Sequence, residues 1–363
     1  MHSRFSLQVL TKMAIKKSIC IVGSGNWGSA IAKIVGRNVL SSPDLFEAKV
    51  NMYMYEENFE GRKLTEVVNE KHENVKYLPG IKLPENIVAN PDLIASCKSA
   101  DILIFVMPHQ FVRGTCKTMQ EHIKDSALAV SLIKGFDKGP DGKILMISKL
   151  IEDILNIDCA VMMGANLAPE VAEEQFCETT IGCKNKEQGE LLRSVFETDY
   201  FRCAVCTDIA TIEMCGALKN VVGIGAGIVD GMGLGHNTKA AVLRLGLMEM
   251  VKFGELFIEG SQEVTFFESC GVADLVATCH GGRNRLLGEN VVKSDKTIKQ
   301  LEKEILRGQS FQGPLVAQEI NQVLKEKNML EQFPLFTAIY KICQREMDPR
   351  EFINCLRNHP EHI

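Results

Sequence analysis

The feature that most constrains the fold is a glycine-rich turn between a short apolar run and an amphipathic stretch. Gly23-Ser24-Gly25-Asn26-Trp27-Gly28 follows the run Ile19–Val22 and leads into the run Ala30–Val35. In a strand-turn-helix context, the first glycine allows a tight turn, the second lets a pyrophosphate approach the backbone, and the third lets helix and strand pack closely. The pattern therefore predicts a dinucleotide-binding unit, with a glycine turn that serves packing alone as the alternative.

Strand-length apolar runs alternate with amphipathic stretches along the N-terminal half. They are Ile19–Val22, Val50–Tyr55, Ile102–Met107, Ala127–Ile133 and Ala160–Met163. Continuously apolar strands are typical of a parallel sheet that is covered on both faces, so we expect an α/β, Rossmann-like domain. After about Tyr200 helical patterns take over, in the stretches Asp208 to Asp230, Lys239 to Ile258 and Ile298 to Leu306.

These patterns predict a parallel-sheet domain over residues 14–204 and a mainly α-helical domain over residues 205–363, preceded by an N-terminal arm over residues 1–13. The junction near Val205 has no Pro/Gly-rich linker, so we expect the two domains to pack tightly. The basic stretch Met1 to Lys17 is interpreted as an arm, with a transit peptide as the alternative.

Composition excludes several classes of function. The net charge of −5 without long blocks of one sign gives no reason to expect a nucleic acid or an anionic membrane as partner. The apolar runs named above are too short for a membrane span. The 13 cysteines are scattered through apolar segments and are expected to be reduced and buried, and the isolated pair Cys203 and Cys206 is interpreted as structural. No metal site is expected.

Polar residues at the ends of the predicted strands are candidates for ligand binding, because open α/β sheets bind ligands at the carboxyl ends of their strands. Glu56 and Glu57 follow the second strand, where an acid holds the ribose of NAD and disfavours NADP, although solvated surface acids are the alternative. Lys134 ends another strand, where a buried ammonium is costly unless it meets a polar group or ligand. His109 is interpreted as capping a turn rather than as an acid or base.

Two segments of the helical part carry chemistry. Lys219 lies among small and apolar residues, so burial and a second cation such as Lys134 would lower its pKa and make it a usable proton donor. A lysine that extends to solvent is the alternative. Gly281-Gly282-Arg283-Asn284 predicts a backbone nest with charge-assisted donors for a phosphate monoester, or else an exposed basic turn.

The sequence resembles the eukaryotic NAD-dependent glycerol-3-phosphate dehydrogenases from Ala14 onward. The segments that carry the resemblance are GSGNWGSAIAKIVG, IFVMPHQF, SLIKG, MGAN, CGALKNVV, ESCGVADL and GGRNR. The resemblance implies a cytosolic homodimer with Lys219 as the catalytic proton donor and acceptor. The substrate residues that it implies are Lys134, Asn166, Asn220, Asp274, Thr278, Arg283 and Asn284. The NAD contacts that it implies are Gly23, Ser24, Gly25, Asn26, Trp27, Gly28, Tyr55, Phe111, Ala168, Arg283 and Gln312.

Two departures from the family pattern concern the cofactor. Ser310 replaces a lysine of the vertebrate members, and Tyr55 replaces a phenylalanine. The alternative functions are a 3-hydroxyacid or 6-phosphogluconate-type dehydrogenase, which would act on a carboxylate substrate, and a catalytically silent NAD-binding regulator. The joint presence of Lys219, Lys134 and Arg283 counts against the silent regulator.

Overall fold

The computed structural model describes residues 16–139, 144–306 and 310–362. The predicted arm over residues 1–13 lies outside these ranges. The strands are β1 Lys17–Val22, β2 Phe46–Tyr53, β3 Asn58–Phe59, β4 Arg62–Lys63, β5 Ile87–Asn90, β6 Ile102–Phe105, β7 Leu128–Ser131, β8 Phe136–Lys138, β9 Ile144–Met146, β10 Cys159–Met163, β11 Cys177–Gly182 and β12 Phe201–Cys206.

Eight of these strands form one twisted sheet in the order β12-β11-β10-β7-β6-β1-β2-β5. Every neighbouring pair in it is parallel except β10 and β11, which are antiparallel. The chain leaves β10 at Met163 and enters β11 at Cys177 on the same edge of the sheet, so it returns without recrossing a face. The expectation of a Rossmann-like, mainly parallel sheet is confirmed.

The two last strands of the sheet do not show the apolar runs on which the sequence interpretation relied. β11 reads Cys-Glu-Thr-Thr-Ile-Gly, and β12 alternates buried and exposed residues from Phe201 onward, as an edge strand does. The sheet therefore continues past Tyr200, where the sequence pattern indicated that strands stop. β12 ends at Cys206, and the longest of the described helices begins only three residues later, at Ile209.

Helices cover both faces of the sheet and then form the C-terminal part, which confirms the expected helical domain. They are α1 Asn26–Ser41, α2 Leu64–Lys71, α3 Leu93–Cys97, α4 Val112–Met119, α5 Ile147–Leu155, α6 Ala168–Ala172, α7 Lys186–Phe196, α8 Ile209–Gly231, α9 His236–Phe257, α10 Asp274–Gly281, α11 Arg283–Lys293, α12 Ile298–Ile305, α13 Gln312–Glu326, α14 Pro334–Cys343 and α15 Phe352–Arg357.

Helix α8 is the centre of the helical core. Among the described residues it is the one helix long and apolar enough to cross a membrane, and the whole of its apolar window is buried inside the protein. A helix that is apolar on all sides is typical of a core position, because neighbouring helices cover every face. Packing within the protein therefore accounts for its composition.

Helices α8 and α11 approach each other at the level of their backbones. A β-carbon placed on Gly227 would lie 1.9 Å from the carbonyl oxygen of Arg285, and one placed on Gly288 would lie 2.1 Å from that of Ile224. Any larger residue at either glycine would force the helices apart. The glycines thus fix the start of α11 beside the middle of α8, where Lys219 lies.

Candidate active site

The glycine-rich turn has the geometry that a phosphate-binding turn requires. Gly23 has a φ of 123°, and a β-carbon there would lie 2.1 Å from the carbonyl oxygen of Val106. A β-carbon on Gly28 would lie 2.7 Å from the carbonyl oxygen of Gly23, whereas one on Gly25 would meet no atom within 4 Å. The space above Gly25, at the N-terminus of α1, is therefore open to an anionic ligand.

Three residues of the glycine-rich turn make contacts with the rest of the protein that hold the turn in shape. The side chain of Asn26 donates to the carbonyl oxygen of Tyr77 at 3.0 Å. The ring of Trp27 packs against that of Phe201, with centroids 6.2 Å apart. The carbonyl oxygen of Ser24 accepts from the side chain of Asn74 at 2.8 Å. These contacts shape the turn and leave the backbone amides at the start of α1 as the groups that can meet a phosphate.

Glu56 and Glu57, the predicted ribose acids, both have partners within the protein. Glu56 accepts from the hydroxyl of Thr65 at 2.6 Å. Glu57 accepts from the hydroxyl of Tyr77 at 2.6 Å and forms an ion pair with Lys76. The nearby ammonium weakens the repulsion that Glu57 would exert on the extra phosphate of NADP, so the ribose role of these acids stays a prediction.

The centre of the site is a carboxylate between two ammonium groups. Asp274, the first residue of α10, lies with one oxygen 2.7 Å from Nζ of Lys219 and with the other 2.8 Å from Nζ of Lys134. A wide π-type turn over Ser269–Ala273 precedes α10 and leads the chain to this position. Lys219 comes from the middle of α8 and Lys134 from the end of β7, so the site joins both parts of the chain.

The side chain of Lys219 has the chemistry of a proton donor near neutral pH. It is buried, and its ammonium also donates to the hydroxyl of Thr278. Burial, together with the charge of Lys134, lowers the pKa of Lys219 to about 8, against the attraction of Asp274, which raises it. The expectation that Lys219 is buried and that its pKa is lowered is confirmed, and the alternative of a lysine extending to solvent is wrong.

A chain of amide contacts joins α8, α11 and α13. The side chain of Asn284 donates to Oδ1 of Asn220 at 2.9 Å and accepts from the backbone N–H of Gly313 at 3.0 Å. Arg283, next to it, is exposed at the first position of α11. The prediction of a backbone nest at this turn is wrong. Gly282 has an extended backbone, with φ −75° and ψ 157°, and is the N-cap residue of α11. A helix N-terminus takes its place and attracts anions through the same free N–H groups.

The ends of β7 and β10 are linked beside this centre. Nζ of Lys134 donates to the carbonyl oxygen of Gly164 at 3.3 Å. Asn166 lies two residues further on and donates to the carbonyl oxygen of Glu178 at 3.0 Å. Ala168 begins α6. Lys134 thus lies next to Asp274 and next to the segment that carries Asn166.

The remaining predicted cofactor residues include two exposed aromatic side chains and the first residue of α13. Tyr55 and Phe111 are large apolar side chains with 74% and 58% of their surface exposed. Gln312 begins α13, and Ser310 is exposed two residues before it. Within the described ranges no group of three or more His, Cys, Asp or Glu side chains has a metal-binding arrangement.

His109 makes a contact that the sequence did not indicate. It is buried and lies 2.9 Å from Oε1 of Gln312 and 3.5 Å from Oε1 of Glu319, so it bridges the sheet and α13. A histidine that follows a proline at a strand end was the available signal, but its partners lie more than 200 residues along the chain.

All 13 cysteines are free, and burial raises the pKa of Cys203 to about 12 and of Cys206 to about 11. Such thiols are poor nucleophiles, in agreement with a structural role.

Comparisons with known proteins agree over nearly the whole chain. Residues 18–189 match the family described as NAD-dependent glycerol-3-phosphate dehydrogenase N-terminus, and residues 208–354 match the corresponding C-terminus family. A cytoplasmic glycerol-3-phosphate dehydrogenase [NAD(+)] from Drosophila ezoana is 59% identical over 97% of this chain and 100% of its own length. The human enzyme of the same name is 55% identical over the same shares. The solved glycerol-3-phosphate dehydrogenase of Plasmodium falciparum has a TM-score of 0.88 and 40% identity, over 94% of this chain and 96% of that one.

Proposed function

Because this chain belongs to the NAD-dependent glycerol-3-phosphate dehydrogenase family, we propose that it catalyses the reversible reduction of dihydroxyacetone phosphate to sn-glycerol 3-phosphate by NADH. It is thus an oxidoreductase that acts on a CH–OH group. The observation that carries the proposal is the buried ammonium of Lys219, 2.7 Å from Asp274, because this reaction needs a proton donor beside the carbonyl oxygen.

The glycine-rich turn fits the cofactor that the family uses. The open space above Gly25 and the free N–H groups at the start of α1 suit a pyrophosphate, and the exposed rings of Tyr55 and Phe111 offer apolar faces near the sheet edge. The other contacts that we assign to the cofactor are Gly23, Ser24, Asn26, Trp27, Gly28, Ala168, Arg283 and Gln312. NAD supplies the hydride chemistry when it is bound.

The phosphate of the substrate has donors at the start of α11. We assign it to the guanidinium of Arg283, to the side chain of Asn284 and to the N-terminal amides of the helix. A guanidinium binds two phosphate oxygens at once, and the helix N-terminus adds a partial positive charge. Asn284 is held in place by Asn220 and by the backbone of Gly313, so its orientation is fixed before substrate arrives.

Lys219 is assigned the proton transfer at the C2 oxygen. Reduction leaves negative charge on that oxygen, and an ammonium whose pKa is about 8 can neutralise it and then give up a proton. Asp274 and Thr278 hold the ammonium in position through hydrogen bonds. Lys134, on the other oxygen of Asp274, and Asn166 complete the substrate residues in our assignment.

The compartment and the assembly follow from the family. Relatives from flies and mammals carry the word cytoplasmic in their names, and we place this chain in the same compartment. We also propose a homodimer, and we propose that the two domains divide between residues 204 and 205, close to the end of β12. Size-exclusion chromatography with light scattering tests the assembly, and a mass near that of one chain would contradict it.

A spectrophotometric assay tests the function. We expect NADH to be oxidised with dihydroxyacetone phosphate and far more slowly with unphosphorylated dihydroxyacetone, because the phosphate donors at α11 would have no partner. 3-Hydroxy acids and 6-phosphogluconate, tested with NAD⁺, serve as controls for the alternative carboxylate substrates. Equal rates with the two ketones, or faster turnover of a hydroxy acid, would overturn the proposal.

A further inference from the structure

His109 lies at the contact between the carboxyl edge of the sheet and helix α13. It follows β6 and is buried, and Gly135 packs directly on its ring, since a β-carbon at Gly135 would lie 2.5 Å from Nδ1. Its Nδ1 is 2.9 Å from Oε1 of Gln312 and its Nε2 is 3.5 Å from Oε1 of Glu319. The ring therefore has one orientation and two partners, both on α13.

Both partners of the ring are oxygen acceptors. A neutral imidazole can donate from one nitrogen only, whereas an imidazolium can donate from both. Desolvation lowers the pKa of His109, but the hydrogen bond and charge of Glu319, the hydrogen bond to Gln312 and the charge of Asp137 outweigh it and raise the pKa above its ordinary value. Asp137 pairs with Arg113 at 3.2 Å, so Glu319 is the carboxylate that faces the ring most directly.

The contact with His109 determines which end of the Gln312 amide remains for a ligand. With Oε1 turned toward the ring, the two N–H groups of the amide point elsewhere, and no hydrogen bond from them to the described part of the chain is present. If Nδ1 carried no proton, the amide would turn round and present its oxygen instead. The backbone N–H of the next residue, Gly313, donates to the side chain of Asn284. The first two residues of α13 are therefore held by His109 and by Asn284.

We propose that His109, held by Glu319, is a positioning residue that keeps the amide N–H groups of Gln312 directed toward the cofactor. This inference rests on the proposed function, which assigns Gln312 to the cofactor. The groups on NAD that would accept such a hydrogen bond are its phosphate and carboxamide oxygens. The orientation then provides a donor where a free glutamine could present either end.

Two amide substitutions separate the two nitrogens of the ring. In H109N the new Nδ2 takes the place of Nδ1 and keeps the donor to Gln312, whereas in H109Q the new amide reaches the place of Nε2 and keeps only the contact with Glu319. We expect H109Q to weaken NADH binding by about fivefold, which is the effect of one hydrogen bond, with a larger change in KM for NADH than in kcat. H109N should recover most of the affinity. NADH fluorescence titration measures both, and melting temperatures show whether the variants are folded.

A double-mutant cycle shows whether His109 acts through Gln312. Q312A should weaken NADH binding on its own, and adding H109Q to it should have little further effect, because the amide to be oriented is gone. Equal affinities of H109N and H109Q, additive effects in the cycle, or unchanged binding in Q312A would each overturn the inference. Failure of the proposed function would look different, because the wild type itself would not reduce dihydroxyacetone phosphate.

The pH dependence of NADH binding gives a second readout. Affinity should fall as the pH rises through the raised pKa of His109, since loss of the second proton releases the amide. E319Q removes the acceptor that favours the imidazolium, so the fall should move to lower pH. A profile that E319Q leaves in place would overturn the role of Glu319, because a purely structural contact would not move the midpoint.

Discussion

The ammonium of Lys219 and the carboxylate of Asp274 are 2.7 Å apart, and neither group is exposed to bulk solvent. Asp274 also neutralises part of the charge of Lys134, 2.8 Å from its other oxygen. Two cations against one anion leave a net positive charge around a buried ion pair. Such an arrangement favours a developing alkoxide in the transition state and makes the state of Lys219 sensitive to its neighbours.

Removing the ammonium of Lys219 should slow the reaction strongly and leave cofactor binding intact. We expect Lys219→Ala to lower kcat by roughly 10²–10⁴, because a positioned acid and the charge that stabilises the alkoxide are both lost. Lys219→Arg should not restore the rate, since a guanidinium is too weak an acid. Steady-state kinetics and NADH titration measure these effects.

A matched control for this variant is Lys124→Ala. Lys124 is also an ion-paired lysine, 2.9 Å from Asp101, but it lies near the beginning of the strands, at the opposite edge of the sheet. The Lys124→Ala variant should keep the turnover of the wild type. A folded Lys219→Ala enzyme with near-normal kcat, as judged by circular dichroism, would refute the assignment of the proton donor.

The neighbours of Lys219 should shift the pH profile of ketone reduction in opposite directions. Lys219 must be protonated to act as the acid, so kcat/KM should fall as the pH rises through about 8. Asp274 raises this pKa and Lys134 lowers it. Asp274→Asn should therefore move the fall to lower pH, and Lys134→Met should move it to higher pH. Profiles that shift together would show that another group controls the rate.

A side chain on the open glycine should block the cofactor. Gly25→Val fills the space where a β-carbon meets no atom within 4 Å, so we expect NADH binding to be abolished while the fold persists. Gly235→Val is a close control, because Gly235 also precedes a helix, has a negative φ and has no atom near its β-carbon position. Calorimetric titration with NADH compares the two, and retained binding in Gly25→Val would remove the turn from the cofactor site.

Loss of the arginine at the start of α11 should weaken the substrate. We expect Arg283→Ala to raise KM for dihydroxyacetone phosphate and to lower kcat/KM, at a cost of about 2 kcal/mol for a charge-assisted contact. At saturating NADH, which removes the effect of the contact that we also assign to the cofactor, the effect should be small with unphosphorylated dihydroxyacetone, since that substrate lacks the anion. Arg350→Ala, in an exposed pair with Asp348, is the control. If both ketones lose the same factor, Arg283 does not bind the phosphate.

The sequence predicted those features that depend on local patterns. The glycine turn has the three separate environments that its spacing implied, and α8 spans Ile209–Gly231 against a prediction of Asp208 to Asp230. Lys219 is buried as its small and apolar neighbours indicated. In each case the signal and the structure lie within the same few turns of chain.

Features that depend on distant partners were missed. β12 alternates buried and exposed residues because it is the edge strand, and β11, beside it, carries polar residues such as Thr179 and Thr180 that are buried; only the strand order shows where the two strands lie. Where the sequence predicted a nest, the structure has a helix N-terminus, because only Gly282 separates the end of α10 from the start of α11. The contact of His109 with Gln312 joins residues 203 positions apart, and no local pattern reports it.

The backbone contact between α8 and α11 also defines a length. Lys219 and Arg283 lie on two helices that Gly227 and Gly288 hold together without intervening side chains, so the spacing between them is fixed by the main chain. In the proposed complex one end of that interval meets the carbonyl oxygen and the other meets the phosphate. In that proposed complex the helix pair would select by length, because a ketone one carbon away from its phosphate ester would reach both residues and a shorter or longer molecule would reach only one of them.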